Sequence, residues 1–191
     1  MSETVESPDL ATVNQAGDRF GTFLDRARSR ARDEFADARL EDAAAIGLLL
    51  RRVNRLMLND AEDEVLRPAA LSWTEFRVCF SLWIAGPQQP HEVATSTAMS
   101  RASVSSTMKT LKKKELVTTR DSTTDLRSIV MTLTPTGSEL VSHAHARHLA
   151  LIDEWLNPLS APERMVLQGL LGQIMLGPRA RPYADGHAVN S

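Results

Sequence analysis

The chain has 191 residues with 22 Lys and Arg against 24 Asp and Glu, enough for one domain with a real core plus extensions and too few for two ordinary domains with linkers. Its single cysteine excludes an intrachain disulfide framework and suits a reducing compartment. The acidic start MSETVESPD lacks the apolar core of a signal peptide, and no apolar run approaches the ~18 residues of a membrane span, so a soluble, cytoplasmic protein without a membrane partner is expected.

In chain order, the first 15 or so residues have loop composition and are expected to be mobile. From Asp18 to Leu40, Phe20, Leu24, Ala27, Ala31, Phe35 and Ala38 recur every three or four positions, which predicts one amphipathic helix. Residues 1–41 are read as an N-terminal extension, and a main domain over 42–176 follows. Its first helix carries the stripe Ile46, Leu49, Leu50, Val53 and Met57 and closes at the acidic patch Asp60 to Glu64. Ser72 with Glu75 then forms a capping box, and Leu71 with Phe76 a hydrophobic staple, so a helix starts there. It ends before Gly86 and Pro87, and the loop GPQQP follows.

Val93 to Val117 reads VATSTAMSRASVSSTMKTLKKKELV. Its small and apolar positions, Val93, Ala94, Met99, Val104, Met108 and Leu111, suit two short helices joined by a tight turn and packed through one face. Ser100 supplies the cap of the second helix. The outward positions Arg101, Ser103, Ser105, Ser106 and Lys109 are cations and short hydroxyls suited to base edges and phosphates in a major groove. From Thr97 to Arg120 there are six bases (Arg101, Lys109, Lys112, Lys113, Lys114, Arg120) against one acid, Glu115, whereas residues 1–42 carry ten acids and six bases. A basic band in an acidic chain is the footprint of a protein that touches nucleic acid with one face. Thr118 to Arg120 and Ile129 to Leu133 alternate as strands around the polar loop Asp121 to Arg127. A long helix then opens at Thr134 and Pro135 and runs to about Leu156. A second capping box, Ser160 with Glu163, opens a last apolar helix with Leu167, Leu170, Leu171 and Ile174. Beyond Gly177 the Pro, Gly and Arg content predicts a disordered tail over 177–191.

Helix, turn, helix, hairpin and capped helix, with Asp125, Arg127, Ser128, Leu133, Thr134 and Gly137 in the wing pattern, resemble the MarR family of winged-helix regulators over residues 42 to 175. The resemblance implies a mainly α fold, a winged helix-turn-helix with a small β-hairpin wing and a DNA-binding lobe at about 71–134. The terminal helices would interlock two subunits. It also implies a repressor that binds a pseudo-palindromic operator in double-stranded DNA as a homodimer and is released by a small aromatic or phenolic effector. Ser100, Arg101, Ser103, Ser105, Ser106 and Lys109 would face the major groove, and Arg127 the minor groove with Asp125 holding the loop. Lys112 and Arg120 would neutralise phosphate. Three positions depart from the family pattern. Ala98 replaces the usual turn glycine, which works if that position keeps negative φ. Glu115 replaces the glycine after the recognition helix, so no left-handed stop is expected there. Leu126 replaces a base of the wing.

No Gly-rich phosphate loop, His-Glu-x-x-His, paired Cys or nucleophile elbow is present, so neither an enzyme nor a cofactor or resident metal is expected. Cys79 lies amid Val78, Phe80 and Trp83 and reads as a small buried hydrophobe; redox sensing through it is the alternative. His145 and His148 sit three apart on one helix and could share a metal. The aromatics Trp73, Phe76 and Phe80, with Arg77 or Arg55 as anion anchors, are the candidate effector-binding set. A competing possibility is a winged-helix scaffold for protein interaction without DNA.

Overall fold

The computed structural model describes residues 19–121 and 129–180, which fall into two compact units, one up to Leu58 and one from Asn59 onward. In the first unit α1 (Arg19–Phe35) leads into α2 (Ala38–Ala61), whose last turn belongs to the second unit. The single helix expected over Asp18 to Leu40 is therefore broken. Ala36 takes the left-handed conformation at φ 49°, and the Asp37 Oδ1 accepts the Arg39 N–H at 2.9 Å, so the chain restarts as a new helix. Glu41 is buried and ties the pair together, accepting from the Arg32 Nε at 2.8 Å and lying 3.6 Å from Arg28. The Arg52 guanidinium stands 5.3 Å over the Phe20 ring.

The second unit opens with a π-helical turn, Glu62–Leu66, in place of a stop at the acidic patch. Then come α3 (Trp73–Ala85), α4 (Pro90–Thr97), α5 (Arg101–Lys113), β1 (Val117–Asp121), β2 (Ile129–Leu133), α6 (Pro135–Leu156) and α7 (Ala161–Leu176). The capping boxes expected at Ser72/Glu75 and Ser160/Glu163 both form, and a third, Gln89/Glu92, starts α4. β1 and β2 pair antiparallel with Val117 opposite Leu133 and Thr119 opposite Met131. The GPQQP loop joins them, because Gln88 exchanges both backbone bonds with Met131 at 3.1 and 2.8 Å. Val78, Val93, Val104, Leu111, Met131 and Val141 are fully buried and bring α3 to α6 and the hairpin onto one core.

Two turn expectations are corrected. Ala98 has φ 51°, not a negative value, and Glu115 has φ 58°, so the recognition helix does end on a left-handed residue. Ala70, φ 51°, makes a third such stop. The same bond closes each one: Leu71 N–H to Leu66 O, Met99 N–H to Ala94 O and Leu116 N–H to Leu111 O, at 2.9, 3.1 and 3.0 Å. In every case the residue after the left-handed one is buried and apolar. Sinking that side chain against the preceding helix outweighs the roughly 1–2 kcal/mol that a Cβ costs in this conformation, because burying a Leu or Met contributes about 1.5–3 kcal/mol.

α7 has no buried residue and exposes Met165, Val166, Leu170, Leu171, Ile174, Met175 and Leu176. Gly177 to Ala180 form a turn closed by a 3.0 Å bond. The expected N-terminal loop, the rest of the tail and the wing tip, with Asp125 and Arg127, lie outside the described residues.

Candidate nucleic-acid interface

The α5 helix is two-faced. Val104, Thr107 and Leu111 are buried against the core, while Arg101, Ser106, Lys109, Lys112 and Lys113 are exposed. Ser103 and Ser105 are half-buried at its flank. The Ser100 Oγ accepts the Ser103 N–H at 3.1 Å and caps the helix, and its own hydroxyl proton stays available to an anion. Arg101, Lys109 and Arg120 make no ion pair among the described residues. Sequence reading missed Thr110, which is exposed one turn beyond Ser106, and Lys113 as a member of the face. Both follow from i to i+4 spacing along the outward stripe.

Two lysines of the basic band are engaged within the fold. The Lys112 Nζ donates to the Thr119 Oγ1 at 2.8 Å, bridging α5 to β1. Lys114 turns inward: its Nζ lies 2.7 Å from the Glu75 Oε1 and donates to the Ala70 carbonyl at 2.7 Å. Glu75 is buried at the start of α3, where its other oxygen accepts the Ser72 N–H at 2.7 Å. Burial pushes the Glu75 carboxyl up, but the bonds from Lys114 and Ser72 outweigh it and hold the group below the usual carboxylate range.

The far side of the α5 stop is braced as well. The Thr134 Oγ1 donates to the Glu115 carbonyl at 2.8 Å and accepts the Gly137 N–H at 2.9 Å, while the Thr134 N–H reaches the Leu116 carbonyl at 3.0 Å. Gly137 packs so tightly here that a Cβ would stand 2.1 Å from the Leu116 oxygen. The resemblance had put Thr134 and Gly137 in the wing pattern; their work is to seat α6 against the end of the recognition helix.

The candidate effector residues separate. Trp73 and Phe76 pack edge-on against His148, at 5.7 and 5.9 Å between ring centroids, and Phe80 lies 4.5 Å from His145. The row is therefore filled by the two imidazoles of α6 and is not an open crevice. Burial holds His148 below its ordinary pKa, and the neighbouring His145 adds to that. Arg77 and Phe80 do line a cavity, of about 260 Å³, with Ser81, Ile84 and Ser96 between α3 and α4. Arg55 belongs to the first unit and is exposed. Cys79 is buried, and burial foremost, with Glu75 nearby, pushes its thiol up to about 12. Among the described residues no three His, Cys, Asp or Glu side chains gather as a metal site, and no helix is long and apolar enough to cross a membrane.

Residues 71–129 match the family model described as the MarR family. Over that segment the chain carries a MarR-type domain. It is 29% identical over 126 residues to an uncharacterized HTH-type transcriptional regulator, YwaE, of Bacillus subtilis, covering 66% of this chain and 73% of YwaE. It is 26% identical to the HTH-type transcriptional regulator MhqR of the same organism, over 71% of this chain and 93% of MhqR. Among solved structures it resembles BpsR of Bordetella bronchiseptica, described for the regulation of its DNA binding by 6-hydroxynicotinic acid, at TM-score 0.59 and 25% identity, over 68% of this chain and 97% of BpsR. A mutant of MarR from E. coli in complex with operator DNA shares the fold at TM-score 0.61 and 23% identity, over 68% and 93% of the two chains. The winged helix-turn-helix built by α4, α5 and the hairpin is thus the MarR-family arrangement.

Proposed function

We propose that this MarR-family protein is a homodimeric, sequence-specific DNA-binding regulator of transcription in the cytoplasm, a repressor of a pseudo-palindromic operator that a small aromatic acid releases. The two-faced α5 carries the reading. Its outer face holds a hydroxyl and cations with no ion pair among the described residues, Ser106, Arg101 and Lys109, and a helix of that chemistry at the second position of the motif fits a major groove. Two copies would present α5 helices about 34 Å apart, one turn of DNA. The exposed apolar side of α7 is the surface a second copy would cover. An interaction module without DNA would show aromatics and Met on this face instead of Ser, Thr and Lys.

For the effector, BpsR supplies the chemistry: its DNA binding is regulated by 6-hydroxynicotinic acid, a hydroxylated aromatic carboxylic acid. Here Arg77 offers a cation at a cavity whose walls include Phe80 and Ile84. An anion with a ring matches that cation and those apolar walls. A thiol held at about 12 argues against the redox alternative, because the thiolate is the reactive form.

The test begins with a random duplex library offered to the full chain. One duplex should be enriched, and Arg101→Ala or Arg127→Ala should weaken its binding; no enrichment, or unchanged affinity in both variants, refutes DNA recognition. A panel of aromatic acids including 6-hydroxynicotinic acid should then contain one that raises the melting temperature and releases the duplex, with Arg77→Ala blunting both. A panel with no such member sinks the effector reading alone.

A further inference from the structure

Lys114 lies within the basic run of Lys112 to Lys114 and would be counted as a phosphate contact on sequence. The geometry instead assigns it another role: we propose that Lys114 is a positioning residue that sets the tilt of the recognition helix, and so base selectivity, without touching DNA. This rests on the DNA-binding reading above.

The recognition helix α5 is held at both ends. Its start is fixed by the Ala98 turn and the Ser100 cap. Its end is fixed by Lys114, the first residue after the helix, whose ammonium bridges Glu75 at the start of α3 and the carbonyl of the left-handed Ala70. The site suits both charges, since a cation is favoured at the C-terminus of α5 and an anion at the N-terminus of α3. The Glu75 side chain is only 8% exposed, so removing its partner leaves a mostly buried carboxylate without its counter-charge. Moving the end of α5 or the start of α3 brings the carboxylate toward water and relieves it, as does taking up a proton. Either motion turns the outward face of α5 about its fixed first turn. Phosphate contacts by flexible Lys and Arg side chains survive a small rotation, whereas two-pronged bonds to base edges do not.

The test uses the full chain, the duplex it enriches from a random library and a shuffled duplex of the same composition, each titrated across a range of salt. Lys114→Met and Glu75→Gln should each weaken the enriched duplex about tenfold, a size usual for groups coupled in one ion-pair network. Both should leave the shuffled duplex within about twofold and the salt slope unchanged. Glu75→Gln is the gentler variant, because Gln still closes a capping box, and a cooperative melt shows that each variant is folded. If Lys114→Met instead weakens both duplexes equally and lowers the salt slope by about one, while Glu75→Gln does nothing, Lys114 is a phosphate contact and the proposal is overturned. Wild-type affinity in both variants overturns it too. A library that enriches nothing sinks the DNA reading first, and this inference with it.

Discussion

Ala70, Ala98 and Glu115 carry a left-handed backbone on residues with a Cβ, and each is followed by a buried apolar anchor. Replacing the left-handed residue by glycine keeps the anchor and removes the steric penalty. Ala98→Gly and Glu115→Gly should therefore each raise stability by about 0.5–1 kcal/mol once the greater freedom of glycine in the unfolded chain is subtracted, read as a shift of the urea midpoint at constant slope. Gly137→Ala runs the other way. Its Cβ would meet a backbone oxygen at 2.1 Å, which no rotamer relieves, and a loss of about 2–3 kcal/mol is expected. Acid should act at two groups. His148 sits below its ordinary value through burial, so its contribution is complete above about pH 6.5 and fades as pH falls toward the folded value. Glu75 also lies below its ordinary value, its bonds outweighing burial, so the Lys114 pair stabilises the fold above the usual carboxylate range and is lost only at lower pH. Urea midpoints measured from pH 8 down to about pH 2 should show His148→Phe flattening the upper part of the fall and Glu75→Gln the part below the usual carboxylate range.

The helices of the second unit were legible from the sequence because their signals are local. Ser72 with Glu75 and Ser160 with Glu163 announce helix starts three residues apart, and the alternation after Val117 announces strands. Helix ends were harder to read. The usual stop signal is glycine, and here three stops rest on Leu71, Met99 and Leu116, whose burial depends on the folded core and not on neighbours in sequence. The same holds for the site. The outward stripe of α5 follows from helical spacing, so Arg101, Ser106 and Lys109 fall where expected. The inward turn of Lys114 and the partition of the aromatics between two imidazoles and a cavity depend on α3 and α6 meeting, which no short motif encodes. Lys112, exposed yet bonded to Thr119, should behave as an ordinary phosphate contact. Lys112→Ala is expected to weaken all duplexes alike and to lower the salt slope by about one; a selective loss on one sequence would contradict this.

At the scale of the whole molecule the decisive element is α7, an apolar helix with no buried residue. A contiguous exposed face of this kind is rarely tolerated by a soluble monomer. Sedimentation of the full chain should give a dimer, and truncation before Ser160 should give a monomer or an aggregate. A stable monomer at micromolar concentration, or a truncated chain that still dimerises, would remove α7 from the interface. The Thr134 brace places the start of α6 directly against the end of α5, so in a dimer held by its terminal helices a change in their angle would reach the recognition helix through a single turn.

Cys79 has an experimental use of its own. The chain holds one cysteine, and it is sealed in the core with its thiol pushed to about 12, so thiol reagents at neutral pH should pass it by in the folded protein. The native chain is in effect already a single-site labelling background. A cysteine placed at exposed Lys113 would take a spin label on each recognition helix of a dimer without any compensating substitution, and the distance between the labels could be followed as an aromatic acid is added.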